Sequence, residues 1–174
     1  MVNIICSTNR ADAVSKHIAD IYKQLLNDNG QEAEVINLQG LPHDFAFSAL
    51  YSNSGKNEKF NVYREKMVNA EKFVFVVPEY NGSFPGVLKT FIDGLIYPKT
   101  FTGKKCALVG LSSGIQGAGL ALSHLTDIFN YCGMHVLARK VKMAQIEKAM
   151  DNDVLSDEKY IEQLNKQSRE FLAF

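Results

Sequence analysis

Short apolar runs alternate with amphipathic stretches along the whole chain. Val2 to Cys6 is an apolar run that predicts a buried strand. Val14, Ile18, Ile21, Tyr22, Leu25 and Leu26 then fall at helical spacing, with Lys16, Asp20, Lys23 and Gln24 between them. Asn29-Gly30 supplies the helix stop. Glu32 to Leu38 predicts a second strand, more polar and so at a sheet edge. Gln39 to Asn57 predicts a long irregular segment, and loops of that length in a compact fold are often functional. Phe60, Tyr63, Met67 and Ala70 mark the next helix, and Lys72 to Val77 the third strand, ended by Pro78. Val87, Leu88, Phe91, Ile92 and Leu95 mark a helix with Ser83 as N-cap and Pro85 in its first turn. Lys105 to Leu111 is the fourth strand, and Ala118, Ala121, Leu125, Ile128, Phe129 and Cys132 mark the helix after it. Met134 to Ala138 predicts a fifth strand. A short helix near Ala144 to Met150 and a last one through Tyr160, Ile161, Leu164, Phe171 and Leu172 complete the pattern.

Five strand–helix units in succession force parallel pairing with right-handed crossovers, and both sheet faces need covering. The expected fold class is α/β, a doubly wound three-layer sandwich. Five parallel strands favour the flavodoxin-like order 2-1-3-4-5. Ligands in such sheets bind outside the carboxyl ends of the strands, at the switch point between strands 1 and 3. The loops after strands 1, 3 and 4 therefore carry the information about function.

Composition narrows the classes. The 174 residues make one expected domain, 1–174. Nineteen basic and nineteen acidic residues cancel to a net charge of zero, which gives no electrostatic case for nucleic acid or an anionic membrane. The apolar runs are strand-length, so no membrane span is expected, and the first residues do not read as a signal peptide. The three cysteines, Cys6, Cys106 and Cys132, fit neither a disulfide framework nor a zinc site; buried reduced thiols in a cytoplasmic protein are expected. His17, His43, His124 and His135 share no metal-binding spacing, so no metal is assigned; His43, in the long loop, is the one to look for near the site. No G-x-S-x-G elbow is present, and hydrolase chemistry lacks a nucleophile.

The loop after strand 1 holds Ser7, Thr8, Asn9, Arg10 and Ser15 between a buried strand and a helix start. Free helix N–H groups, hydroxyl donors and a guanidinium together suit a phosphate, although ordinary capping explains the hydroxyls equally well. The loop after strand 3 runs Pro78-Glu79-Tyr80-Asn81-Gly82-Ser83-Phe84-Pro85-Gly86. Its prolines and glycines stiffen a turn that can offer main-chain groups to the edge of a flat heteroaromatic ring. Glu79 is expected as a hydrogen-bonded carboxylate that fixes this turn. The loop after strand 4 brings Ser112, Ser113 and Gly114, with Gly117 and Gly119 beyond; it is not a dinucleotide fingerprint.

The sequence of the loop after strand 3, Pro78 to Gly86, continued by Val87-Leu88-Lys89 and Phe91-Ile92-Asp93, resembles the signature of the NAD(P)H-dependent FMN reductase family, which has the flavodoxin-like fold and includes quinone, azo-dye and chromate reductases. Ser7-Thr8-Asn9-Arg10 with Ser15 resembles that family's phosphate loop. The resemblance implies bound FMN, with its phosphate on Ser7, Thr8, Asn9, Arg10 and Ser15. Its ring would lie against Pro78, Glu79, Tyr80, Asn81, Gly82 and Ser83, with Ser112, Ser113 and Gly114 on the far side. It implies two-electron transfer from NADPH or NADH to a small-molecule acceptor such as a quinone, an azo compound or free flavin, with no separate catalytic residue. It also implies a homodimer or homotetramer, for which Phe45, Phe47, Tyr51, Phe84 and Tyr97 are candidate contacts. Ser7, Ala13 and Val14 depart from the usual loop; a lost hydrogen bond to a charged group costs about 1.5–3 kcal/mol, so weaker FMN binding is expected. A flavodoxin-like electron carrier and a non-catalytic interaction protein are the alternatives.

Overall fold

The computed structural model describes residues 1–174. The chain begins β1 (Val2–Cys6), α1 (Val14–Asp28), β2 (Ala33–Asn37), α2 (Phe45–Ser48) and α3 (Glu58–Asn69). It continues β3 (Lys72–Pro78), α4 (Gly86–Asp93), β4 (Lys105–Leu111) and α5 (Gly119–Tyr131). It ends β5 (His135–Val136), β6 (Val141–Met143), the hairpin β7 (Met150–Asp151) and β8 (Val154–Leu155), and α6 (Glu158–Ala173). The main sheet is parallel, in the order β2-β1-β3-β4-β5, with β6 also on β4, as expected for the flavodoxin-like class.

The alternation of side chains across each strand builds two cores. Ile5, Phe73, Phe75, Val77, Cys106 and Leu108 face α3, α4 and α5. Ile4, Cys6, Val74, Val76, Ala107 and Val109 face α1 and α6. On the first face Phe75 lies 4.5 Å from Phe129 and Phe73 lies 5.7 Å from Phe101, centroid to centroid. Such aromatic pairs stabilise by about 0.5–1.5 kcal/mol beyond the area they bury.

Three local expectations need correction. The fifth strand is not continuous over 134–138: only His135–Val136 and, further on, Val141–Met143 pair with β4. Between them Arg139 turns outward to Glu170 of α6, Nε to Oε2 at 2.7 Å. The buried Gln167 of α6 reaches into the gap, where its Nε2 donates to Leu108 O at 2.9 Å and Arg139 O at 2.8 Å. Gln39 to Asn57 is also more ordered than expected, with two 3-10 turns and α2. It is tied to α3 by Tyr63, whose hydroxyl donates to Gly40 O at 2.8 Å, and by Phe45 stacked 5.4 Å from Phe60. Finally, Pro85 rather than Ser83 is the N-cap of α4, because Ser83 closes a turn of its own.

No helix is long and apolar enough to cross a membrane.

Candidate functional site

The carboxyl ends of β1, β3 and β4 open into one cleft of about 180 Å³. It is lined by residues 10 and 12–15 of the first loop, Pro78, Glu79 and Tyr80 of the second, and Leu111, Ser112 and Ser113 of the third. Ile146 and Glu147, from the 3-10 turn that follows β6, complete it.

The sequence explains each wall. Asp12 takes a φ of +53°, which turns the chain into α1, and the N-cap that follows is Ala13, without a side-chain hydrogen bond. The first N–H groups of α1 therefore face the cleft with no side-chain partner, and this end of a helix attracts anions. Behind them the hydroxyls are engaged inward. Ser7 Oγ donates to Ile5 O at 3.2 Å, and Ser15 Oγ lies 3.4 Å from Cys6 Sγ. Burial pushes the Cys6 thiol above its ordinary range, so it is a packed neutral group and not a nucleophile. Thr8 Oγ1 accepts from Arg10 N at 3.2 Å and meets the Tyr80 hydroxyl at 2.7 Å, joining the first and second loops across the cleft.

The second loop is fixed by its main chain. Glu79 N donates to Leu111 O at 2.9 Å, and no hydrogen bond holds its carboxylate, contrary to the role expected of it. Tyr80 and Ser83 exchange both N–H···O bonds, at 2.8 and 3.0 Å, around Asn81 and Gly82. Both central residues have positive φ, +52° and +75°, the two-residue turn that Asn-Gly favours. Ser83 Oγ then meets His124 Nδ1 of α5 at 2.9 Å. In the third loop Gly117 N donates to Ser112 Oγ at 2.9 Å. A Cβ on Gly110 would stand 2.6 Å from Gly117 O, so only glycine lets this loop fold back onto β4.

A profile of the family described as NADPH-dependent FMN reductase matches residues 1–148. The chain belongs to that family.

The reductase is 29% identical over 136 residues to a 2-hydroxy-1,4-benzoquinone reductase of Burkholderia sp, covering 75% of this chain and 70% of the other. It is 30% identical over 129 residues to an NAD(P)H-dependent FMN reductase of Pseudomonas aeruginosa, covering 70% and 66%. Its fold matches the flavoenzyme FerB, an NAD(P)H:acceptor oxidoreductase of Paracoccus denitrificans, with a TM-score of 0.77 at 23% identity over 99% and 94% of the two chains. As a member of the family the protein is an oxidoreductase that works with FMN and a nicotinamide.

Arg10, Ser15, Pro78, Glu79, Tyr80, Ser112 and Ser113 come together in the reductase cleft, with Thr8 bonded to Tyr80 at its edge. Ser7 is buried behind it. Asn9 and Asn81 are exposed, and with Gly82, Ser83 and Gly114 they lie outside the lining. His43 sits in a separate polar groove beside Pro42, Asp44 and Asn57. Sequence reasoning missed Asp12, Ile146, Glu147 and the Ser83–His124 contact. Asp12 lay within the first loop; the others are brought in by distant segments and leave no local signal.

A larger cavity, about 670 Å³, lies between α4 and α5, lined mainly by Ile92, Leu95, Ile96, Phe101 and Ile128 with Tyr51, Tyr97 and Tyr131. It shares no residue with the loop cleft and lies away from the carboxyl ends of the strands; its charged lining, Lys89, Asp93 and Asp127, includes a Lys89–Asp93 ion pair within α4.

Proposed function

We propose that residues 1–174 form one flavodoxin-like unit that holds FMN in the loop cleft. In this reading it passes two electrons from NADPH or NADH to a quinone, an azo compound or free flavin. One observation carries the reading: an uncapped helix N-terminus and a stiff Asn-Gly turn converge on one cleft at the sheet's switch point. The donor set fits a phosphate-bearing cofactor. The first N–H groups of α1 and the Arg10 guanidinium would receive the phosphate. The hydroxyls of Ser7 and Ser15 contribute less than expected, since both are engaged inward. Pro78 to Ser83 would hold the ring edge through main-chain groups, and Ser112, Ser113 and Gly114 would close the other side.

FMN, when bound, supplies the hydride chemistry. The protein's part is positioning. The Tyr80–Ser83 turn keeps its main-chain groups fixed without help from a side-chain acid, so no reorganisation is needed as charge develops. No residue of the chain is assigned as acid, base or nucleophile. Nicotinamide and acceptor use the same open side of the cleft in turn, which gives ping-pong kinetics.

The other cavity supports a reading of the assembly. Tyr51, Tyr97 and Tyr131 are 84%, 70% and 83% exposed around an apolar groove, far more than isolated surface aromatics require. We propose a homodimer or homotetramer packed on this α4–α5 face. Of the other candidate contacts, Phe47 is exposed, Phe84 is partly buried and Phe45 is buried in the core. The three unpaired cysteines are in keeping with a reducing, cytoplasmic location.

The test is the visible spectrum of purified protein incubated with FMN and dialysed, before and after anaerobic NADPH. Retained flavin absorbance that bleaches with NADPH and returns on adding a benzoquinone supports the proposal. Protein that stays colourless after dialysis, or whose flavin is never reduced by either nicotinamide, overturns it.

A further inference from the structure

The cleft carries an unexpected charge balance for an anionic cofactor. Arg10 is its only cation, whereas Asp12, Glu79 and Glu147 are all acids. None of the three forms an ion pair. Glu147 is the one held most firmly. Its turn is stapled to the loop after β4 by two main-chain bonds, Gln145 N to Gly114 O at 2.9 Å and Ile146 N to Ser112 O at 3.1 Å. Gln145 adopts a φ of +48° to make them possible. Ser113 Oγ donates to Glu147 Oε1 at 2.5 Å, which aims the carboxylate at the wall formed by Ser112 and Ser113. The adjacent Lys148 does not neutralise it, because its Nζ reaches Gln145 Oε1 at 3.3 Å instead.

We propose that Glu147 sets the reduction potential of the bound flavin, and with it the range of acceptors the enzyme reduces. The proposal rests on the cofactor reading above, in which Ser112 to Gly114 face the ring. Hydride transfer from NAD(P)H moves two electrons and one proton, leaves NAD(P)⁺, and adds one negative charge on the cleft side. The Glu147 carboxylate is exposed, so water screens it, but held at the cleft wall by Ser113 it still repels that charge, while the oxidised, neutral ring is little affected. Glu147 therefore weakens binding of the reduced cofactor relative to the oxidised one and lowers the potential. A lower potential makes the reduced enzyme the stronger reductant. Glu147 acts as a tuning residue, since it donates and accepts no proton in the reaction.

The experiment compares Glu147→Gln and Glu147→Asp with the wild type, each loaded with FMN. The midpoint potential is read against a reference dye. The Gln variant is expected about 5–20 mV higher, equivalent to about 1.5- to 5-fold tighter relative binding of the reduced form. The Asp variant, which keeps the charge, is expected to stay near the wild type. Three proteins with one common potential overturn the inference and leave the cofactor reading standing. A shift as large in Asp as in Gln also overturns it, since packing rather than charge would then be responsible. A wild type that fails to retain FMN overturns the cofactor reading itself, and the inference with it.

Discussion

Arg10, the residue proposed to receive the phosphate, is one whose binding role can be separated from folding. It lines the cleft, is exposed, and its side chain enters no ion pair. Removing it costs the folded state almost nothing, because no buried group loses a partner. Removing it from a bound phosphate costs a charge-assisted bond of about 1.5–3 kcal/mol. Arg10→Ala is therefore expected to raise the dissociation constant for FMN by about 10- to 100-fold in a fluorescence titration, with an unchanged melting temperature. Riboflavin, which lacks the phosphate, is expected to bind the variant and the wild type alike. Equal loss for both ligands would place Arg10 at the ring instead. The cysteines illustrate the opposite case. Burial raises the Cys106 and Cys132 thiols as it does Cys6, so the three act as packing groups rather than reactive ones.

At the scale of elements, the broken strand between β5 and β6 depends on a residue of α6. Gln167 is fully buried and donates to two carbonyls on either side of the gap, Leu108 O and Arg139 O. Gln167→Leu leaves both carbonyls without that donor, a loss only partly offset by removing Oε1, a buried atom with no hydrogen-bond partner. A loss of about 2 kcal/mol is expected, seen as a melting temperature lower by about 4–8 °C. FMN binding by the folded variant should not change, since Gln167 lies outside the cleft. This contact also explains what the sequence hides. Strands such as Val74 to Val77 and Cys106 to Val109 announce themselves because every residue is apolar and buried. A strand held together by an amide from a helix 26 residues after Val141 has no local pattern to read. The same holds in the site. The loops at Ser7–Arg10 and Pro78–Ser83 are legible as contiguous motifs. Glu147 reaches the cleft only through a turn stapled to another loop, and His124 reaches Ser83 across 41 positions of chain. Ser83 closes a turn where its sequence suits a helix cap, because cap and turn chemistry use the same residue types.

For the molecule as a whole, the α4–α5 face and the loop cleft are separate surfaces, so association and cofactor binding can be tested apart. The wild type is expected to elute in size-exclusion chromatography at two or four times the chain mass. Tyr131→Asp puts a carboxylate into the exposed apolar groove and is expected to shift the protein to one chain's mass. A wild type that elutes as a single chain at micromolar concentration would remove the case for that face. The β5–β6 edge, one of the sheet's two, has its own significance for solubility. An uninterrupted outer strand presents a row of free peptide groups on which further chains can align and grow into fibrils. Here the outer strand pairs at two positions, leaves the ladder, and rejoins for three, with Lys140 in the gap and Lys142 exposed on β6. The interruption that Gln167 mends from inside is, seen from outside, a template with a gap, too short on either side to seed another chain.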